Sequence, residues 1–345
     1  MDKKKQMNFN LNNFLLATTE ILDTHEIQQK NISKHHSLRV AFISLKIAEK
    51  LNYEPKMMFD LCAYSLFHNY INSENLKLLN IENNQNSLSQ LVDIVHSFEE
   101  RYDFGAESIE NRSRILQELQ SLDYESNIKN IFLDIVSPLE FWLDCQNSNQ
   151  MLQYIYSSLY DFTVVLSFEE ILKITSMFGS LYEDVNDFVK KCEISCDYFH
   201  FEHKDKMTFL IAASMRDFGK LAISKELIMK KDILILPEYE IIKSNIYYNK
   251  NALKQIYGFE DITKWATRHQ ERLDGQGYPS AIGANHLSLK DRLMGVLHIY
   301  NALLQNRPYR NALSNDKIVN VLAEKAKNNQ IDKALVEEIK IIFQI

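Results

Sequence analysis

The residues of this 345-residue chain that could do chemistry recur in a similar order in its two halves. In the first half, His36-Ser37-Leu38-Arg39-Val40 opens a helix, His68-Asn69 ends another, and His96 precedes Glu99-Glu100-Arg101-Tyr102-Asp103. In the second half, Arg216-Asp217 ends a helix and His269-Gln270-Glu271-Arg272-Leu273-Asp274 follows downstream. Imidazole nitrogens and carboxylate oxygens suit divalent Mn, Fe or Zn. Guanidinium groups such as Arg307 and Arg310 bind phosphate bidentately or pair with carboxylates, and the residues alone do not choose between the two. The shared order of landmarks makes an internal duplication worth testing.

Helices have to position these groups. Residues 38–51 set Val40, Ile43, Ile47 and Leu51 at helical spacing, with Lys46, Glu49 and Lys50 elsewhere. The same period covers 56–67, 109–122, 152–166, 169–181, 206–215, 238–246 and 316–327. With only 8 Gly and 5 Pro, the chain is short of the turn residues that a many-stranded fold needs, so composition predicts an all-α protein. The length suits two domains, and the polar run 146–150 after Phe141-Trp142-Leu143 places the boundary between 1–150 and 151–345.

A 46% hydrophobic fraction supplies material for folded cores, and a net charge of −7 gives no basic footprint, which excludes nucleic acid as a partner. Cys62, Cys145, Cys192 and Cys196 form no CxxC pair, as in a reducing compartment. No window approaches the ~20 apolar residues of a membrane span, so no membrane association and a cytoplasmic location are expected.

The run from His269 to Pro279, His-Gln-Glu-Arg-Leu-Asp-Gly-Gln-Gly-Tyr-Pro, resembles the HHExxDGxGYP signature of HD-GYP domains at all but one fixed position. Asp217-Phe218-Gly219-Lys220 resembles the second half of HDxGK, and Asn306-Arg307-Pro308-Tyr309-Arg310 resembles DRPYR. Residues 208–345 thus look like an HD-GYP domain, the helical bundle whose active members hydrolyse cyclic di-GMP with two or three metal ions. Residues 33–71 more faintly resemble the HD unit that precedes it in tandem members.

The resemblance implies tandem HD-type helical bundles and a link to cyclic di-GMP signalling. Carried over position by position, it puts Arg216, Asn245 and Gln270 where ligand histidines are expected, and His298 where an aspartate is expected. Asp217, His269 and His298 remain as a reduced metal set, with Lys220 nearby; in the first half His36, His68 and His96 remain, while Asn69 stands for the HD aspartate. The expectation is a catalytically impaired regulator that binds a nucleotide or a protein partner and carries no cofactor. The alternative is an active phosphodiesterase whose single Mn, Fe or Zn ion is held by Asp217, His269 and His298, with Lys220 on a phosphate oxygen.

By resemblance, Arg307 and Arg310 lie near the substrate phosphates, and the Gly275, Gly277, Tyr278 and Pro279 loop offers a surface to a protein partner. The loop's glycines are equally explained by backbone angles closed to other residues. Packed, hydrogen-bonded histidines are the plainer account of His36, His68 and His96. Helical bundles of this kind often associate, which leaves a homodimer among the expectations.

Overall fold

The computed structural model describes residues 6–30, 32–70, 73–79, 81, 85–105, 108–121, 126–160, 163–307 and 310–345. Pro308 and Tyr309, in the segment between Arg307 and Arg310, lie outside the described residues. As composition predicts, the described residues are overwhelmingly α-helical, with one two-stranded sheet of β1 (Gln6–Phe9) and β2 (Val164–Ser167). None of the described helices is long and apolar enough to cross a membrane.

The chain forms two compact units, residues 10–164 and residues 165–345 joined by the N-terminal strand. The first contains α1 (Leu11–Lys30), α2 (His36–Lys50), α3 (Pro55–Phe67), α4 (Ser73–Leu78), α5 (Gln85–Tyr102), α6 (Ser108–Ser121), α7 (Ser126–Val136), α8 (Leu139–Cys145) and α9 (Ser148–Ser158). The second contains α10 (Phe168–Gly179), α11 (Asn186–Tyr198), α12 (His203–Met215), α13 (Lys225–Ile228), α14 (Leu236–Leu253), α15 (Glu260–Thr267), α16 (Leu289–Leu304), α17 (Asn315–Lys327) and α18 (Lys333–Phe343).

The polar run at 146–150, read from the sequence as the boundary, is a helix start. Asn147 accepts a hydrogen bond from Asn149 N at 3.1 Å, and α9 then buries Met151 and Ile155 while packing on α2. The helix expected to run to 166 stops at Ser158, and the Val164–Ser167 segment pairs instead with β1. That pairing brings Phe9 within 6.5 Å of the Phe259 ring and ties residues 6–9 to the second unit.

α2 is central in the first unit: it is buried from His36 to Leu45 and packs against α3, α5 and α9. α5 buries Leu88, Leu91, Val92, Val95 and Phe98 at helical spacing, and this stripe delivers His96 and Glu99 to the N-terminal end of α2. Trp142 donates to Val136 O at 2.6 Å and lies 5.3 Å from Phe104, which closes the core at the far side of the helical layer.

In the second unit, α12 begins with a charged turn and is then buried on every side from Met207 to Met215, as a stretch enclosed by neighbours must be. It packs against α10, α11 and α15 and ends at Arg216 and Asp217, where the chain tightens into the 3-10 turn Phe218–Ala222. Gly219 permits that turn, since a Cβ there would sit 2.1 Å from Asn245 O of α14. Ser167 with Glu170 and Ser288 with Asp291 form capping boxes that start α10 and α16.

Candidate functional site

In the second unit, three elements bring Asp217, His269 and His298 together: the end of α12, the turn after the Arg268 cap of α15, and the middle of α16. Their ligand atoms all lie within 4.8 Å of one another, and all three side chains are buried. The structure brings these three residues into one cluster, and their neighbours decide what the cluster can do.

Asp217 is flanked by two cations. Lys220 Nζ is 2.7 Å from Oδ1 and Arg216 Nε is 3.2 Å from Oδ2, close enough for ion pairs although neither is aligned as a hydrogen bond. Burial alone would raise the Asp217 pKa, but Lys220 and Arg216 outweigh it and hold the carboxyl well below the usual range. Arg216 is itself wrapped by protein: its guanidinium lies 3.6 Å over the Phe188 ring, Nη1 donates to Ala213 O at 3.2 Å, and Nη2 donates to Glu183 Oε1 at 3.1 Å. Glu183 also lies 4.0 Å from Arg307 Nη1, so two guanidinium groups share one carboxylate.

His269 Nδ1 donates to Ala266 O at 2.8 Å, which fixes the tautomer and leaves Nε2 as a buried lone pair with no hydrogen-bond partner. Burial pushes the His269 pKa down to about 4 against the pull of Asp217, and burial together with His269 pushes His298 well below the ordinary histidine value. Both rings are therefore neutral. Gln270 Nε2 sits 3.0 Å from His298 Nε2. Asn245 is buried and turns its amide back to Ile242 O. One turn on, Asn249, not singled out by the sequence reading, donates to Met215 O at 2.8 Å and Arg216 O at 3.0 Å, satisfying carbonyls at the end of α12.

Arg307 is partly exposed and donates to Gln305 Oε1 at 2.7 Å. Arg310 was expected beside it as a phosphate ligand. Instead its Nη atoms donate to Ala302 O at 2.5 Å, Asn311 O at 3.1 Å and Gln305 O at 3.3 Å, because the last carbonyls of α16 need donors.

The 275–279 loop is folded around its own signature. Gly275 has φ of 75°, and a Cβ on Gly277 would meet Glu271 Cα at 2.4 Å. Glu271, which the sequence reading left without a role, is buried and accepts from Ser280 N at 2.7 Å and Ile282 N at 3.2 Å. Tyr278 N donates to Gln270 O at 3.2 Å, while Pro279 reaches the surface.

The first unit gathers His36, His68 and His96 within the same 4.8 Å limit. His36 Nε2 is 2.9 Å and His68 Nε2 is 3.1 Å from His96 Nδ1. Glu99, buried, takes both His36 Nδ1 and Arg39 Nε, and these partners hold its carboxyl below the usual range although burial opposes them. Asn69 turns away from the triad and donates to Glu26 Oε2 at 2.7 Å. Glu99 and Arg39 escaped the sequence reading, although Glu99 lies one helical turn beyond His96 and Arg39 one turn beyond His36.

Residues 168–335, nearly all of the second unit, match the HD domain family. The 3'3'-cGAMP-specific phosphodiesterase 1 of Vibrio cholerae is 22% identical over 264 residues, covering 73% of this chain and 61% of that protein. The 3'3'-cGAMP-specific phosphodiesterase 3 of the same organism is 31% identical over 120 residues, covering 35% of this chain and 26% of that one. A cyclic di-GMP phosphodiesterase response regulator of Xanthomonas campestris is 32% identical over 108 residues, covering 31% and 29%. The chain therefore spans 61% of the length of the first of these relatives and less than a third of the other two.

A crystal structure of a cyclic GMP-AMP-specific phosphodiesterase of V. cholerae superimposes with a TM-score of 0.59 at 15% identity, covering 98% of this chain and 99% of that one; it shares the fold of both units. The second unit is an HD domain. In that unit the chain is similar to cyclic di-GMP and 3'3'-cGAMP phosphodiesterases.

Proposed function

We propose that the second unit is a binding module for a cyclic dinucleotide, working as a regulator in cyclic di-GMP or 3'3'-cGAMP signalling without two-metal hydrolysis. The observation that carries this reading is the pair of cations on Asp217: Lys220 at 2.7 Å and Arg216 at 3.2 Å. A dication beside that carboxylate would meet both. Each unit-charge repulsion at 4 Å is worth about 4 kcal/mol at an effective dielectric of about 20, and doubles for a dication. His269 and His298 are neutral and offset none of it. With Arg216, Asn245 and Gln270 at the positions of ligand histidines, the residues present do not fit the family's metal cluster.

An anion meets the opposite balance. Lys220, Arg216 and Arg307 give three fixed cations against the carboxylates of Asp217 and Glu183. A phosphodiester next to Lys220 and the partly exposed Arg307 completes the neutralisation, through charge-assisted hydrogen bonds. The names of the relatives support the ligand class, since they act on cyclic di-GMP or 3'3'-cGAMP.

Calorimetric titration of the chain with each dinucleotide in the presence of a chelator tests the proposal. The expected result is binding without linear product, weakened at least tenfold in Arg307→Glu. Metal-dependent turnover that stops in His269→Ala would overturn it and establish the reduced Asp217, His269 and His298 site as catalytic.

A further inference from the structure

We infer that the outer face of α14 pairs antiparallel with α14 of a second copy of this chain, forming a two-fold symmetric dimer. The inference does not depend on what the second unit binds. It starts from the way α14 is exposed. One side of the helix is buried, with Asn245, Ile246, Asn249, Ala252 and Leu253, and the other is open. On the open side Leu236 is 72% exposed, Ile241 52% and Tyr247 57%, with Tyr239 and Tyr248 beside them. Just before the helix, Ile233 and Ile235 are 92% and 60% exposed.

Single exposed apolar residues are ordinary on a protein surface, but a patch this dense marks a contact. Fully buried aliphatic side chains cover roughly 60–120 Å² each and tyrosines roughly 150–250 Å². Weighted by the exposures, the patch presents on the order of 500 Å² of apolar surface per copy. Two copies then supply about the non-polar share of a standard interface of about 1,600 Å².

The order of residues along the open face identifies the partner. At about 100° per residue, Leu236, Glu240, Lys243 and Tyr247 share one stripe about 80° wide. Their spacing of four, three and four residues is that of a helix-pairing seam. Read along α14, the stripe is apolar, acidic, basic, apolar. A copy turned about a two-fold axis between Ile241 and Ile242 sets Leu236 against Tyr247 of the second copy, and Glu240 against its Lys243. A stripe that complements its own reverse is what an isologous interface requires.

The charges reinforce the match. Lys243 Nζ already lies 2.6 Å from Glu240 Oε1 within α14, so the two pairs close a four-charge ring of alternating sign across the axis. Lys243 Nζ also lies 4.7 Å over the Tyr239 ring, which holds it beside the seam. The stripe itself is neutral, so the net charge of −7 does not oppose pairing there. The same helix carries Asn249, which holds the carbonyls at the end of α12, so pairing restrains the helix on which the end of α12 rests.

Analytical ultracentrifugation of the full chain over a range of concentrations is the test. The wild-type chain should dimerise reversibly. Glu240→Lys and Lys243→Glu each set like charges against one another, and either change alone should raise the dimer dissociation constant roughly tenfold or more. An equimolar mixture of these two variants should associate again, because a basic stripe then meets an acidic one. The double variant, Glu240→Lys with Lys243→Glu, keeps the self-complement and should dimerise as the wild type does. Circular dichroism checks folding, and should a single variant misfold, Tyr247→Ser at its exposed position keeps the test open, with the same loss of dimer expected. A wild-type chain that stays monomeric at every concentration overturns the inference. So does a dimer that the single changes leave intact, or a pair of monomeric variants whose mixture fails to associate.

Discussion

The two units each gather three metal-ligand side chains within 4.8 Å, yet their surroundings are opposite in charge. Around His36, His68 and His96, the neighbours are acceptors: Glu99, Glu100 and Ser65 O. Around Asp217, His269 and His298, the nearest ionic neighbours are donors: Arg216 and Lys220. A list of ligand types ranks the second cluster higher, because it includes a carboxylate. The shell behind the ligands reverses that order, since a carboxylate already neutralised by two cations has little left to offer a dication.

The comparison breaks most visibly at Asp217. Asp217→Asn leaves Arg216 and Lys220 facing each other over a neutral amide, with Arg216 buried, and should cost about 3–5 kcal/mol in denaturant unfolding. A change below 1 kcal/mol would mean that the cations are satisfied elsewhere.

Acid is the next largest lever. His269 is held at about 4 in the folded protein against an ordinary value of 6.5, so the unfolded chain binds the proton first as pH falls. Its contribution is fully present above pH 6.5 and is lost between 6.5 and about 4, by roughly 3 kcal/mol. Asp217 is depressed, so its own contribution is lost at still lower pH. Unfolding free energies measured across this range should fall with acid, and His269→Gln should flatten the decline.

Two smaller effects sharpen the account of the scaffold. Gly277→Ala drives a methyl into the backbone of Glu271 and Arg272 and should cost about 1–3 kcal/mol, seen as a lower unfolding midpoint. Arg310→Ala uncaps α16 and should cost about 1 kcal/mol, with dinucleotide affinity unchanged. A large loss of affinity in Arg310→Ala would return that residue to the binding site.

Much of this was legible in the sequence. Sparse glycine and proline, with apolar residues at helical period, give the all-α fold, and the 269–279 signature gives the family of the second unit. Asp217 and His269 belong to recognisable motifs, and the structure sets His298 beside them. The boundary could not be read, because 146–150 is as polar as a linker although Asn147 caps a helix that buries only Met151 and Ile155. Arg310 misled because an arginine's donors serve phosphate and helix carbonyls alike. Glu99, Asn249 and Glu271 were hidden for a related reason: a buried polar residue's role lies in the partner it reaches across the fold, and spacing along the chain does not name that partner.

Elemental analysis of the full chain, purified without chelators, tests the reading of the second cluster most directly. Metal content that is the same in the wild-type chain and in His269→Ala is the predicted result. Metal that is present in the wild-type chain and lost in His269→Ala would contradict it and make the second unit a metal centre despite Arg216 and Lys220.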